Sequence, residues 1–142
     1  MKLGDTQQLT PRHLINGRWE IGTTTGVSTN PSDTREVVAE YARADRNQTE
    51  RAIRAAADAL PHWSQSSPQR RADVLDLVGS ELLARKDALG TLLAREEGKT
   101  LPEAVAEVAR AGQIFKFFAG EALRIPGELM ASVRQGVQVD VT

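Results

Sequence analysis

The chain has 142 residues, a formal net charge of -1 and no cysteine. A single domain of this length can bury roughly 68–70% of its unfolded surface, so one core is expected. The balanced charge argues against a nucleic-acid or acidic-membrane partner held by bulk electrostatics, and the missing thiols exclude a disulfide framework, a thiolate metal site and a cysteine nucleophile within these residues.

The first twelve residues are polar and predict a loose N-terminus. The opening MKLGDTQQLTPRH lacks the apolar core of a secretory signal. No stretch reaches the about 20 apolar residues that a membrane-spanning helix needs. Because the lack of disulfides also fits a reducing compartment, the sequence indicates a cytoplasmic protein without a membrane partner.

The first third of the chain is predicted to be rich in β-structure. Asn16-Gly17 lies between two short runs that could be strands, which is typical of a hairpin with a type I′ turn. The residues Asn30-Pro31-Ser32-Asp33 predict a second turn, because proline presets φ and the polar side chains can bond the backbone. A further strand is expected over 36–42.

Helices are predicted next. Asp45, with Gln48 three residues on, predicts an N-terminal capping box, and Ser67-Pro68 predicts the start of a second helix. The first helix carries an apolar stripe formed by Ile53, Ala56, Ala57, Leu60 and Trp63. The stripe of the second is Ala72, Leu75, Val78 and Leu82.

The segment REEGKTLPE contains Gly98-Lys99-Thr100, the tail of a phosphate-binding P-loop. That motif also needs a glycine at the position that Leu93 occupies, and it follows a strand, whereas residues 81–97 are predicted to be helical. Gly98 is the usual residue just past a helix end, here that of a third helix carrying Leu89, Leu92 and Leu93. Thr100 and Glu103 then predict a capping box for the next helix. The segment therefore indicates a helix stop followed by a helix start.

The fourth helix is predicted to start at Pro102. The residues expected to face inward are Ala104, Val105, Val108, Gly112, Phe115 and Phe118. Glycine in the middle of a helix costs about 1 kcal/mol relative to alanine. Gly112 is therefore expected to permit the close approach of a neighbouring element.

A terminal hairpin is predicted from residues 128–134 and 137–142, which flank Gln135-Gly136. An isolated hairpin is marginal in water, and an apolar strand at a sheet edge promotes aggregation. Since the strand pattern runs to Thr142 without a polar tail, we expect the natural protein to continue past it.

No active site is predicted from the residues themselves. His13 and His62 lie in different elements, without a carboxylate or second histidine at ligand spacing. Ser80 lacks the second glycine of a nucleophile elbow. Glu96-Glu97 are adjacent on a helix end and point in different directions, so they cannot flank a substrate bond. The sequence therefore predicts no catalytic, cofactor-binding or metal-binding residue in this chain.

An ordered series of segments resembles the N-terminal part of an NAD(P)-dependent aldehyde dehydrogenase, from about His13 onward. The segments, in order, are INGRW, NPSDTREVVAEYARAD, AIRAAADALPHWSQSSPQRRADVLDLVGSELLARKDAL, LLAREEGKTLPEAVAEVARAGQIFKFFAGEALRIPGE and SVRQGVQVDVT. NPSDTREVVAEYARAD and GQIFKFFAGEALR are similar to members acting on oxo-acid semialdehydes such as 2,5-dioxopentanoate. The turn NPSDTRE departs from a shorter, glycine-containing turn common in the family.

The resemblance implies an α/β fold with a β-rich start, about four helices and the first hairpin of an oligomerisation arm. It implies three parts: a loose N-terminus over 1–12, an incomplete cofactor-binding domain over 13–127 and a truncated oligomerisation hairpin over 128–142. The full-length protein is expected to oxidise an aldehyde to a carboxylate with NAD or NADP through a cysteine thiohemiacetal, and to form a homo-oligomer through 128–142.

The family's catalytic cysteine, general-base glutamate and cofactor-holding residues have no counterpart in the sequence, so this chain alone is expected to be inactive. An alternative is a small non-catalytic interaction module that pairs through its terminal hairpin.

Overall fold

The computed structural model describes residues 12–124 and 127–141, which form four strands, four helices and two final strands. The strands are β1 Arg12–Ile15, β2 Arg18–Ile21, β3 Thr24–Asn30, β4 Asp33–Arg43, β5 Glu128–Ala131 and β6 Gln138–Val141. The helices are α1 Arg46–Ser64, α2 Pro68–Ala84, α3 Lys86–Glu97 and α4 Leu101–Ala122. The strands pair as three separate antiparallel ribbons, β1 with β2, β3 with β4 and β5 with β6. The expected β-rich start, four helices and terminal hairpin are confirmed.

The first hairpin forms at the predicted turn. Asn16 has φ 50° and Gly17 has φ 72°, the two positive values that a type I′ turn requires. The pairing runs from Arg12 opposite Ile21 to Ile15 opposite Arg18. Arg12 therefore belongs to β1 and not to a loose N-terminus, and the rest of that predicted segment, residues 1–11, lies outside the described residues.

The second hairpin turns at Pro31-Ser32, within the predicted turn. The side-chain oxygen of Asn30 accepts a hydrogen bond from the Ser32 amide at 2.9 Å. The returning strand β4 is longer than the predicted 36–42, because pairing with β3 begins directly after the turn, and the register shifts near Ser28 and Thr29.

Helices α1 and α2 begin at their predicted caps. Asp45 accepts a hydrogen bond from the Gln48 amide at 2.7 Å, and the Ser67 hydroxyl accepts one from the Arg70 amide at 3.2 Å. The second half of the predicted capping box at Asp45 is wrong. The Gln48 side chain is buried and donates instead to the Ile21 carbonyl at 2.8 Å, which fastens α1 to β2.

The helical stretch predicted over 81–97 is interrupted once, at Arg85, where α2 ends and α3 begins. Gly98 then ends α3 in the left-handed conformation, with φ 71°. The fourth helix starts at Leu101, one residue before the predicted Pro102. The Glu103 carboxylate accepts hydrogen bonds from the amide and the hydroxyl of Thr100, at 3.3 and 2.6 Å.

Helix α4 packs against both α2 and α3, and glycines permit the close approach. A Cβ placed on Gly79 would lie 2.9 Å from the Gly112 carbonyl oxygen, and one on Gly112 would lie 2.8 Å from Leu83 Cγ. One on Gly90 would lie 2.5 Å from a methyl carbon of Val105. The expectation for Gly112 is therefore confirmed, and two further glycines act in the same way.

The core of the described residues is small. Its buried apolar residues are Ile15, Ala72, Ala104, Val108 and Ala119. Phe118, predicted to face inward, is 53% exposed, and the apolar stripe of α1 is also exposed at Ile53, Leu60 and Trp63. No helix in the described part of the chain combines the length and apolarity that a bilayer crossing requires.

Candidate functional site

The polar side chains considered as catalytic candidates lie apart in the structure. His13 is on β1, His62 is in the last turn of α1, and Glu96-Glu97 close α3. Among the described residues, no group of three metal-ligating side chains comes together.

Ser80 has a lysine beside it that sequence reasoning did not predict. Lys116 of α4 donates to the Ser80 hydroxyl oxygen at 2.6 Å and to the Asp76 carboxylate at 2.7 Å. An activated serine must give its proton to a neighbouring base. The Lys116 ammonium donates toward Ser80 and is paired with a carboxylate, so the trio links α2 to α4 and does not generate a nucleophile.

Lys99 and Thr100 are occupied by carboxylates of their own chain. Lys99 forms ion pairs with Glu107 and Glu97, and these two hydrogen-bonded carboxylates raise the pKa of its ammonium. Thr100 bonds to Glu103, whose own pKa is lowered by the Thr100 hydroxyl and amide. Three carboxylates around this turn would repel a phosphate, so the structure agrees with the rejection of a P-loop.

The N-termini of α1, α2 and α4 are poorly suited to the pyrophosphate of a nicotinamide dinucleotide. Its pyrophosphate is usually bound by a glycine-rich turn that leads from a parallel strand into a helix N-terminus. The described strands are all antiparallel, and the N-termini of α1, α2 and α4 are filled by Asp45, Ser67 and the pair of Thr100 and Glu103. Two of these three helix starts therefore already hold a carboxylate.

A polar junction joins the turn between β3 and β4 to the end of α3. The Glu36 carboxylate accepts from the Asn30 amide at 2.7 Å and from the Arg95 guanidinium at 2.8 Å. Ser32 donates to the Gly98 carbonyl at 3.1 Å. The Asn30 amide, followed by Arg95, holds the pKa of Glu36 below its usual value. Sequence reasoning missed this junction, because its partners lie 59 and 66 residues apart.

The terminal hairpin, residues 127–141, is the candidate functional site. Every residue of β5 and β6 is exposed, including Leu129, Met130 and Val139. Each strand pairs only with the other among the described residues, so each keeps an unpaired edge. Such an edge can add a strand from another sheet. The arrangement is therefore suited to binding polypeptide.

Two further apolar surfaces accompany the hairpin. One is the exposed stripe of α1, and the other is the end of α4, where Ile114, Phe117 and Phe118 are exposed and the two phenylalanine rings meet edge to face at 5.3 Å. Exposed apolar groups at this density are typical of surfaces that other parts of a protein cover.

Comparison with known proteins shows which family the chain resembles. The profile of the aldehyde dehydrogenase family matches residues 20–142. The alpha-ketoglutarate semialdehyde dehydrogenase of Haloferax volcanii is 40% identical over 119 residues, which are 82% of this chain and 24% of that protein.

Solved structures resemble the chain over most of its length. A crystal structure of an aldehyde dehydrogenase from Brucella melitensis biovar abortus 2308 matches with a TM-score of 0.88 and 30% identity, over 99% of this chain and 29% of that one. Betaine aldehyde dehydrogenase from Staphylococcus aureus, solved in complex with NAD+, matches with a TM-score of 0.83 and 29% identity, over 89% of this chain and 26% of that one. The chain thus spans about a quarter of the length of the proteins it matches.

Proposed function

Because this chain belongs to the aldehyde dehydrogenase family, we propose that the whole protein oxidises an aldehyde to a carboxylate with NAD or NADP. Within it, residues 13–127 form part of the cofactor-binding domain, and residues 128–142 begin an oligomerisation hairpin. The observation that carries this proposal is the match of nearly the whole chain to aldehyde dehydrogenase structures at a TM-score of 0.88.

The substrate class that we propose is an oxo-acid semialdehyde such as 2,5-dioxopentanoate. Support comes from the 40% identity to the Haloferax volcanii enzyme, whose name specifies alpha-ketoglutarate semialdehyde. The experiment incubates the purified whole protein with 2,5-dioxopentanoate or pentanal and with NAD+ or NADP+, and identifies the product by mass spectrometry. We expect the dicarboxylate product with one of the two cofactors, and slower turnover of pentanal. Failure to form a carboxylate from any aldehyde would overturn the proposed reaction.

We propose that these 142 residues contribute structure and assembly, and no catalytic group. The absence of cysteine from the sequence supports this role, since an aldehyde dehydrogenase of the expected chemistry needs a thiolate nucleophile. The carboxylates at the N-termini of α1 and α4, which would repel a pyrophosphate, support it as well.

A second candidate is a non-catalytic interaction module, favoured by the complete exposure of both strands of the terminal hairpin. Gel filtration of this chain, combined with amide exchange over 128–142, distinguishes the two. A stable dimer with a protected hairpin would favour the module. A monomer whose hairpin exchanges freely would count against it.

A further inference from the structure

A cleft of about 290 Å³ opens between α2, α3 and α4, and the proposed function assigns no ligand to it. Its apolar lining consists of Leu82, Leu89, Leu92, Leu93, Val108 and Ala111. Small-molecule sites in proteins begin at about 300 Å³ and are mostly apolar, with few polar groups that fix orientation. The cleft is therefore large enough for one linear alkyl chain.

Negative charge surrounds the opening of this cleft. Glu96 lines it, is exposed, and has no ion pair with any residue in 12–124 or 127–141. Glu107 also lines the cleft, and its single cation, Lys99, is shared with Glu97. Of the two carboxylates that line the cleft, one therefore shares an ammonium and the other has none among the described residues.

The direction of α3 adds to this negative potential. Glu96 lies in the last turn of α3, which ends at Glu97. The C-terminal end of a helix carries a partial negative charge and favours cations. An anionic ligand would meet both the carboxylates and this helix end, so fatty acids and other carboxylates are disfavoured.

We propose that this cleft binds an amphipathic cation, a small molecule with an unbranched alkyl chain and a protonated primary amine. The alkyl chain lies against Leu89, Leu92 and Leu93, and the ammonium binds the Glu96 carboxylate. Burial of the methylene groups provides most of the affinity, since each buried CH₂ contributes about 0.8 kcal/mol. The carboxylate provides the preference for a cation over an anion.

The experiment uses the 142-residue chain, labelled with ¹³C in its leucine methyl groups. It is titrated with n-octylammonium, n-octanol or n-octanoate at concentrations where none of the three aggregates or separates from solution. We expect octylammonium to shift the methyl resonances of the cleft leucines and to bind more tightly than octanoate. Glu96→Gln should weaken octylammonium binding by about twofold to fivefold, as expected for an exposed ion pair, and leave octanol binding unchanged. Leu92→Ala, at a side chain that is already 39% exposed, should weaken all three ligands.

The matched control is Glu40→Gln, which removes the same charge from an exposed position on β4. It should leave all three affinities unchanged. The proposal is overturned if octanoate binds as tightly as octylammonium, or if Glu40→Gln and Glu96→Gln have equal effects. It is also overturned if the whole protein, titrated in the same way, shows no shift of the cleft leucines, because other parts of the polypeptide then fill the cleft.

Discussion

At the scale of single residues, the glycines of the helices differ in what surrounds them, and this difference can be tested. A Cβ on Gly90 would lie 2.5 Å from a Val105 methyl carbon and 2.8 Å from the Val105 Cα, so the backbone of α4 would have to move. Gly90→Ala should therefore lower the free energy of unfolding by about 1–3 kcal/mol, despite the better helix propensity of alanine. Urea denaturation followed by circular dichroism measures this change.

Gly120→Ala is the matched control. This glycine also lies in a helix, but a Cβ on it would meet nothing within 4 Å. The substitution should raise the free energy of unfolding by about 0.4–1 kcal/mol, because alanine loses less backbone entropy on folding. If both variants shift the free energy of unfolding in the same direction, α3 and α4 do not approach each other at Gly90 as closely as described.

Glu36 gives the chain a stability that depends on pH. Its pKa is lowered from 4.5 by hydrogen bonds from Asn30 and Arg95, so the folded state holds its proton less tightly than the unfolded state. The stabilisation is therefore fully present above about pH 4.5 and is lost as the pH falls through the lower, folded-state pKa. Melting temperatures measured from pH 7 down to pH 3 should fall less steeply for Glu36→Gln than for the unmodified chain. Glu40→Gln, on the same strand, should retain the original slope; an equal change in both variants would rule out the junction as its source.

What the sequence predicts at this scale depends on the distance between partners along the chain. The turn at Asn16-Gly17, the left-handed Gly98 and the bond between Thr100 and Glu103 are all local, and all are confirmed. Arg95 lies 59 residues from Glu36, and Ile21 lies 27 residues from Gln48, so local propensity carries no information about these two contacts. The Gln48 side chain was expected to complete the capping box at Asp45. It bonds instead to the distant Ile21 carbonyl, which the sequence pattern does not indicate.

At the scale of elements, the terminal hairpin was predictable as a hairpin but not in its detailed bounds. The predicted strands 128–134 and 137–142 are shorter in the structure, and Val133 is fully exposed in the loop between them. Thr142 lies outside the described residues. Alternation of valines reports which residues share a strand face, whereas the length of a ribbon depends on what it pairs with.

The terminal hairpin and helix α4 should differ in the rate of amide hydrogen exchange. In a dilute monomer of this chain, the amides of β5 and β6 should exchange nearly as fast as in an unfolded peptide, because a two-stranded ribbon without further packing is marginally stable. Amides in the interior of α4, such as that of Val108, should be strongly protected. Hydrogen–deuterium exchange with mass spectrometry measures both regions in one experiment.

The same measurement on the whole protein tests the proposed assembly. There, the amides of 128–141 should become protected, since a neighbouring strand would pair with a free edge. A hairpin that stays unprotected in the whole protein would contradict the oligomerisation role.

At the scale of the whole molecule, the described part of the chain exposes many more large apolar side chains than it buries. Only five apolar residues of the described part are buried, and three of them are alanines. No large side chain among the described residues is fully buried. Amphipathic periodicity correctly placed the apolar residues on helix faces, but it cannot say which faces this chain covers by itself. That is why the exposure of the α1 stripe and of Phe118 could not be predicted.

We propose that these 142 residues provide framework and assembly to an aldehyde dehydrogenase and no catalytic group. The most direct test measures the rate at which NAD+ and NADP+ are reduced in the presence of 2,5-dioxopentanoate, for the purified chain and the whole protein side by side. We expect aldehyde-dependent reduction by the whole protein, and a rate for the chain alone equal to that of the enzyme-free blank. Reduction by the chain alone that increases in proportion to its concentration would show that the chain itself contains catalytic groups.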